Sequence, residues 1–172
     1  VLYMNEQHAD IMEPFLRGGQ MIKEVTKTNT TWNDSPWKFE AGTPNIAQVI
    51  GLSKSVEYVN ELGLDNIKKY EQKLLTYLLS NLKDIHDINI LAHHNNSGPI
   101  VSFNIKGCHP YDITKLLDGK EICIRAGHHC AQILMESLKI NYTNRVSLFI
   151  YNSKEEIDYF INHLLKVITI LK

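Results

Sequence analysis

The chain has 172 residues, 44% of them hydrophobic, enough to build a real core in one ordinary domain or two small ones. Lys plus Arg number 18 against 19 Asp plus Glu, a formal net charge of -1, so no global basic field exists to hold nucleic acid or an anionic membrane surface. No apolar run approaches the roughly 20 residues a membrane-crossing helix needs, and three cysteines without close pairing argue against a disulfide framework and for a reducing compartment.

The chain opens at Val1 with "VLYMNEQ", which reads as a strand already in progress with no signal or transit pattern ahead of it, as expected of a fragment or processed chain. Residues 1 to about 42, with "FLRGGQMI" and "TKTNTTWNDSPWKFEAG", predict strand and hairpin pieces separated by turn residues, too few to close a core alone. "GTPNIAQVIGLSKSVEYVNELG" then predicts a helix over 44–62. Thr43 would be its N-cap and Pro44 its first residue, Ile46, Val49, Ile50, Val56 and Val59 would be its apolar positions, and Gly63 lies past its end. A second helix begins near Asp65 and carries Ile67, Tyr70, Leu74, Leu78 and Leu82 on one stripe.

Short strands and helices follow. Strands are expected at 88–91, 100–105, 122–125 and 146–150, with a polar turn "HHNNSG" after the first and helices at about 111–117 and 134–138. The last helix opens with the capping box Ser153 to Glu156 and buries Ile157, Phe160, Ile161, Leu164 and Ile168. The fold class is α+β, a mainly antiparallel sheet packed by helices. Three parts are expected: an incomplete piece over 1–43, a joining helix over 44–62, and a compact domain over 63–172.

The chemistry concentrates in "CIRAGHHC", residues 123–130. Cys130 follows a strand and a Gly127 turn, precedes a helix, and has Arg125, His128 and His129 within five residues. Positive neighbours and a helix start favour the nucleophilic thiolate, while the alternative is a small buried hydrophobe. Cys123, between Ile122 and Ile124, is expected in the core, and Cys108 has no assigned role. His93, His94, His109, His128, His129 and Cys130 could supply zinc ligands, but the paired spacing of a legible site is missing. A Cys–His hydrolase is a further alternative without an oxyanion-hole or orienting-carboxylate signal.

Only three arginines occur, so each is informative, because lysine cannot reproduce a planar bidentate fork. Arg145, opening the strand "RVSLFIY", could grip a carboxylate or form a surface ion pair. Arg17, beside Gly18 and Gly19, reads as a turn residue. Thr43, at a helix start with unpaired N–H groups, could meet a phosphate or only cap.

Together, "FEAGTPN" (39–45), "RAGHHCAQ" (125–132) and "RVSLFIYNSKEEID" (145–158) resemble the C-terminal part of a SUF-type, group II cysteine desulfurase. Weaker matches are "GGQMI", "TTWNDSPW" and "GLDNIKKYEQKLL", so the resemblance runs along essentially the whole chain. It implies a homodimeric pyridoxal phosphate enzyme of fold type I, in which residues 1–43 end the large cofactor domain and 63–172 form the small C-terminal domain. Such an enzyme converts L-cysteine to L-alanine and passes sulfur as a persulfide to an acceptor protein for iron–sulfur cluster assembly. Carried over, Cys130 is the nucleophile, Arg145 holds the substrate carboxylate, Arg125 stands beside the nucleophile loop, and Thr43 reaches the cofactor phosphate of the partner subunit. The resemblance assigns His128 and His129 no role and no metal to the site.

The family's cofactor lysine follows a histidine upstream of the point where this chain begins, so the resemblance implies a fragment inactive by itself. The family places such an enzyme in a relict plastid if the source is a plastid-bearing parasite, and otherwise in the cytoplasm. Two other classes stay open: a non-catalytic module that binds a sulfur-acceptor protein, and a zinc-binding structural domain. Ile133, where the family has proline, and Gln20 and Arg17 in the glycine hairpin depart from the pattern.

Overall fold

A computed structural model describes residues 1–91 and 98–172; the turn histidines His93 and His94 lie outside the described residues. The chain forms two compact units, Val1–Glu61 and Leu62–Lys172.

In the first unit the expected opening strand is absent. Asn5 instead accepts a hydrogen bond from the Gln7 N–H and caps the short helix α1 (Glu6–Ile11), leaving Leu2 and Tyr3 exposed. The expected hairpin is present as β1 (Ile22–Val25) and β2 (Thr30–Trp32), and the Thr26 hydroxyl accepts from the Asn29 N–H within its turn. Arg17 adds to its turn a cation–π contact, its guanidinium carbon 5.2 Å from the Trp32 ring centre. Ala9 and Met21 are the buried hydrophobics of this unit, so it has almost no core of its own.

Helix α2 (Ile46–Leu62) begins two residues later than the Thr-Pro pattern predicts. The first helical bond runs from the Val49 N–H to the Asn45 carbonyl, which makes Asn45 the cap. Thr43 therefore stands outside the helix, two residues before its cap. The helix buries none of its side chains; Ile46, Val49, Ile50 and Val56 are all exposed. Gly63, at φ +82, turns the chain into α3 (Leu64–Lys83).

The second unit is a two-layer α+β sandwich. Strands β3 (Ile88–Leu91), β4 (Ile100–Ile105), β5 (Arg125–Gly127) and β6 (Thr143–Ser147) form an all-antiparallel sheet of order β3-β4-β6-β5. Helices α3, α4 (Pro110–Asp118) and α6 (Lys154–Leu171) pack against it. Leu74, Leu75, Leu78 and Leu82 of α3 and Ile157, Phe160, Leu164 and Ile168 of α6 bury their stripes against Val101, Phe103, Ile105, Val146 and Leu148. The capping box at α6 is formed as its sequence predicts: Ser153 Oγ accepts from the Glu156 N–H and the Glu156 carboxylate accepts from the Ser153 N–H.

Strand alternation sets what lies on the opposite face. Because Val101 pairs with Val146 and Phe103 with Asn144 towards the helices, the intervening pair Ser102–Arg145 points away from them, as do Thr143 and Arg125. The core therefore occupies one face of β6, and polar chemistry occupies the other.

Strands β5 and β6 both differ from expectation. The run Ile122 to Arg125 reads as a strand, yet the Ile122 N–H closes onto the Leu117 carbonyl and sheet pairing starts only at Arg125. Ile122 and Ile124 pack on the core, which turns Cys123 outwards, so Cys123 is exposed rather than buried. Strand β6 starts three residues early, at Thr143, because Thr143 and Asn144 are fully buried polar residues with side-chain partners and are not loop. Arg145 consequently sits mid-strand instead of opening it.

Candidate active site

The residues of "RAGHHC" leave β5, make a turn, and enter helix α5 (Gln132–Ser137). The His128 carbonyl accepts from the Ala131 N–H at 3.0 Å, closing a four-residue turn. Its two central residues, His129 at φ +55 and Cys130 at φ +59, are both left-handed. Turns of this shape favour Gly or Asn, and each ordinary side chain in that region costs about 1–2 kcal/mol. Side-chain contacts must offset that cost.

Cys130 is exposed, and Arg125 Nη2 donates a long hydrogen bond of 3.8 Å to its sulfur. Arg125 lies directly opposite Arg145 in the β5–β6 register. Like charges placed so repel, and among the described residues neither guanidinium meets a carboxylate, while Arg145 Nε is buried without a partner. The polar face thus presents two planar cations and a thiol with no internal anion, an arrangement complementary to a carboxylate and to an anionic sulfur.

His129 points back to β6. Its Nε2 lies 2.7 Å from Thr143 Oγ1 and 3.2 Å from the Thr143 carbonyl oxygen, and its Nδ1 is buried without a partner. Burial chiefly, then the charge of Arg145, with Arg125 and His128 adding to it, hold the imidazole below its ordinary value of 6.5, although the Thr143 carbonyl pulls the other way. The ring is therefore neutral at pH 7.

Aromatic rings back the turn. His128 stacks tilted on Tyr142 at 4.7 Å between centroids, and Tyr142 meets Tyr111 at 5.5 Å and His109 at 5.6 Å. Gly127, at φ +133, lies against Tyr111, whose hydroxyl is 3.2 Å from where a Cβ would be. His109, a possible metal ligand on composition, caps α4 by accepting from the Tyr111 N–H through Nδ1, and Cys108 beside it is buried in the core. Among the described residues no three His, Cys, Asp or Glu side chains converge as a metal site.

Cys130, Arg125 and Arg145 are thus brought to one sheet face. Thr43 belongs to the first unit, exposed at the entry to α2. The sequence reading missed Thr143, Tyr111 and Tyr142. Alternation could have found Thr143, two residues before Arg145, had the strand been extended upstream; the two tyrosines carry no comparable signal.

Residues 1–160 match the aminotransferase class-V family. A cysteine desulfurase of Wigglesworthia glossinidia brevipalpis is 45% identical over 168 residues, covering 97% of this chain and 41% of that protein. A probable cysteine desulfurase of Halalkalibacterium halodurans is 43% identical over 158 residues, 92% of this chain and 39% of that protein. Among solved structures, the cysteine desulfurase CsdA of Escherichia coli in its S-sulfonic acid form superposes with a TM-score of 0.92 at 31% identity, over 99% of this chain and 42% of that one. The apo cysteine desulfurase of Thermococcus onnurineus NA1 gives 0.91 at 36% identity, over 97% of this chain and 42% of that one. The chain spans about two fifths of the length of the curated relatives it matches. The α+β architecture, the cysteine turn and these relationships agree: the chain belongs to the aminotransferase class-V family.

Proposed function

We propose that these 172 residues form the sulfur-handling part of a SUF-type cysteine desulfurase, which converts L-cysteine to L-alanine and passes the sulfur to an acceptor protein. The observation that carries the reading is Cys130, exposed in a left-handed turn with the Arg125 guanidinium 3.8 Å from its sulfur and Arg145 opposite on the same sheet face. In this reading the Cys130 thiolate attacks the sulfur of the substrate, so that an S–S bond forms while the substrate's C–S bond breaks. The electron pair of that C–S bond goes to the carbon skeleton, which is protonated and leaves as L-alanine, and Cys130 keeps the sulfur as a persulfide. Arg145 holds the substrate carboxylate by a bidentate fork, and Arg125 complements the negative charge on the transferred sulfur.

Pyridoxal phosphate, when bound, supplies the electron sink for this chemistry. Thr43 fits its phosphate: the hydroxyl is exposed, the space beside Gly42 is open, and the Ala47 and Gln48 N–H groups of the first turn of α2 have no intrahelical acceptor. Residues 1–43 then end the larger cofactor domain, 44–62 link, and 63–172 form the small domain. The nearly coreless first unit and the unburied α2 support that division and a homodimer, since both need partners to cover them.

In the full-length enzyme, Cys130→Ser should abolish persulfide formation while the absorbance of the bound cofactor persists. Undiminished sulfur release from that variant would overturn the assignment.

A further inference from the structure

The structure assigns His129 as a positioning residue: bonded through Nε2 to Thr143, it ties the Cys130 turn to strand β6 and so fixes the thiol relative to Arg145. The inference rests on Cys130 being the nucleophile of the proposed reaction.

Four observations carry it. First, the turn holds two consecutive non-glycine residues at positive φ, so its shape is imposed by contacts and not by local preference. Second, its backbone bonds, from the Ala131 N–H to the His128 carbonyl and from the Met135 N–H to the Ala131 carbonyl, close the turn on itself and join it to α5, and neither reaches β6. Third, Arg125 reaches Cys130 from β5, a strand of three residues at the sheet edge. His129 alone among the turn's side chains hydrogen-bonds to β6, the inner strand that carries Arg145.

Fourth, Thr143 and Arg145 are two residues apart on one strand, hence on one face and about 7 Å apart along it. A tether to Thr143 therefore sets the position of Cys130 against the guanidinium two residues on. The geometry also selects a tautomer. The Thr143 carbonyl only accepts, so the ring satisfies it by carrying its proton on Nε2, and the bare Nδ1 lone pair is what stays buried. Arg145 Nε, likewise buried and unpaired, is a donor, so the two orphaned atoms have complementary roles in one site.

The test uses the full-length enzyme with its cofactor. His129→Ala should lower kcat by about 10- to 100-fold, the scale of a misplaced reacting group, with KM and the substrate-induced change in cofactor absorbance retained. His129→Gln, whose amide nitrogen reaches the place of Nε2, should restore most of the loss. His129→Asn, whose nitrogen falls nearer the place of Nδ1, should not. Thr143→Val, which removes the hydroxyl but keeps the carbonyl, should give a partial loss of the same kind.

Wild-type kcat in His129→Ala, or a Gln variant no better than the Ala variant, would overturn the assignment. Alkylation of Cys130 by iodoacetamide separates this failure from failure of the desulfurase reading, since it needs no turnover. The tether predicts that the Cys130 rate shifts in His129→Ala and returns in His129→Gln, with Cys123 as the unchanged internal reference. An unshifted Cys130 rate would refute the tether even in an enzyme that desulfurates cysteine.

Discussion

Phe103 is the side chain on which the second unit's packing converges, and replacing it with alanine should be readable at a cysteine. It is fully buried on β4 between Ile90 of β3 and Asn144 of β6, and meets Phe160 of α6 edge-on at 6.5 Å. Phe-to-Ala changes at such sites cost about 3–5 kcal/mol, of which the aromatic pair contributes about 0.5–1.5. Cys108 is buried in the same cluster, so its thiol reacts only when the cluster opens. At about 1.4 kcal/mol per tenfold, Phe103→Ala should speed iodoacetamide labelling of Cys108 by roughly two to three and a half powers of ten. Cys123 and Cys130 are exposed already and should label at their wild-type rates. Mass spectrometry of the three cysteine peptides over time gives all three rates in one experiment. Acceleration of Cys108 below about tenfold would refute the placement of Phe103 at the centre of this core.

Two further outcomes follow from local features. Ser153→Ala removes the acceptor for the Glu156 N–H at the start of α6 and should cost about 0.5–2 kcal/mol, seen as a lower urea midpoint at unchanged slope. His129 is held below its ordinary value in the folded chain by burial, by Arg145 on β6 and Arg125 on β5, and by His128, so the unfolded chain binds its proton more readily. Its contribution is therefore complete above about pH 6.5 and is lost as pH falls through the lowered folded value. The urea midpoint of wild type should drop more between neutral and mildly acidic pH than that of His129→Gln, and equal drops would contradict the burial of that ring.

Elements governed by one strong periodicity were legible from residue order. The leucine stripe of α3 and the Ile-Phe-Leu stripe of α6 recur every three or four residues, and the alternation Val101, Phe103, Ile105 marks β4 without ambiguity. The misplaced elements are those where polar residues are buried or apolar ones leave the ladder. Thr143 and Asn144 look like loop, yet Asn144 donates to the Pro110 carbonyl and to Thr114 Oγ1, contacts across 34 and 30 residues that no local pattern reveals. Ile122 and Ile124 look like strand but reach the core from a turn. At the site, Cys130, Arg125 and Arg145 stood out because a thiol and scarce guanidiniums are informative by type. Thr143 became part of it only through sheet pairing.

The facing of Arg125 and Arg145 makes the fold itself responsive to anions. Their repulsion weakens the ladder where β5 is only three residues long, so this edge is held by few pairs and a like-charge one among them. An anion lodged between the two guanidiniums cancels the repulsion and cements the edge, which adds stability as the logarithm of its concentration over its dissociation constant. Linkage is reciprocal, so whatever steadies β5 also tightens the hold on the anion. Occupancy of this face and order in the cysteine turn are then two readings of a single equilibrium, and ionic strength, by screening both, moves them together.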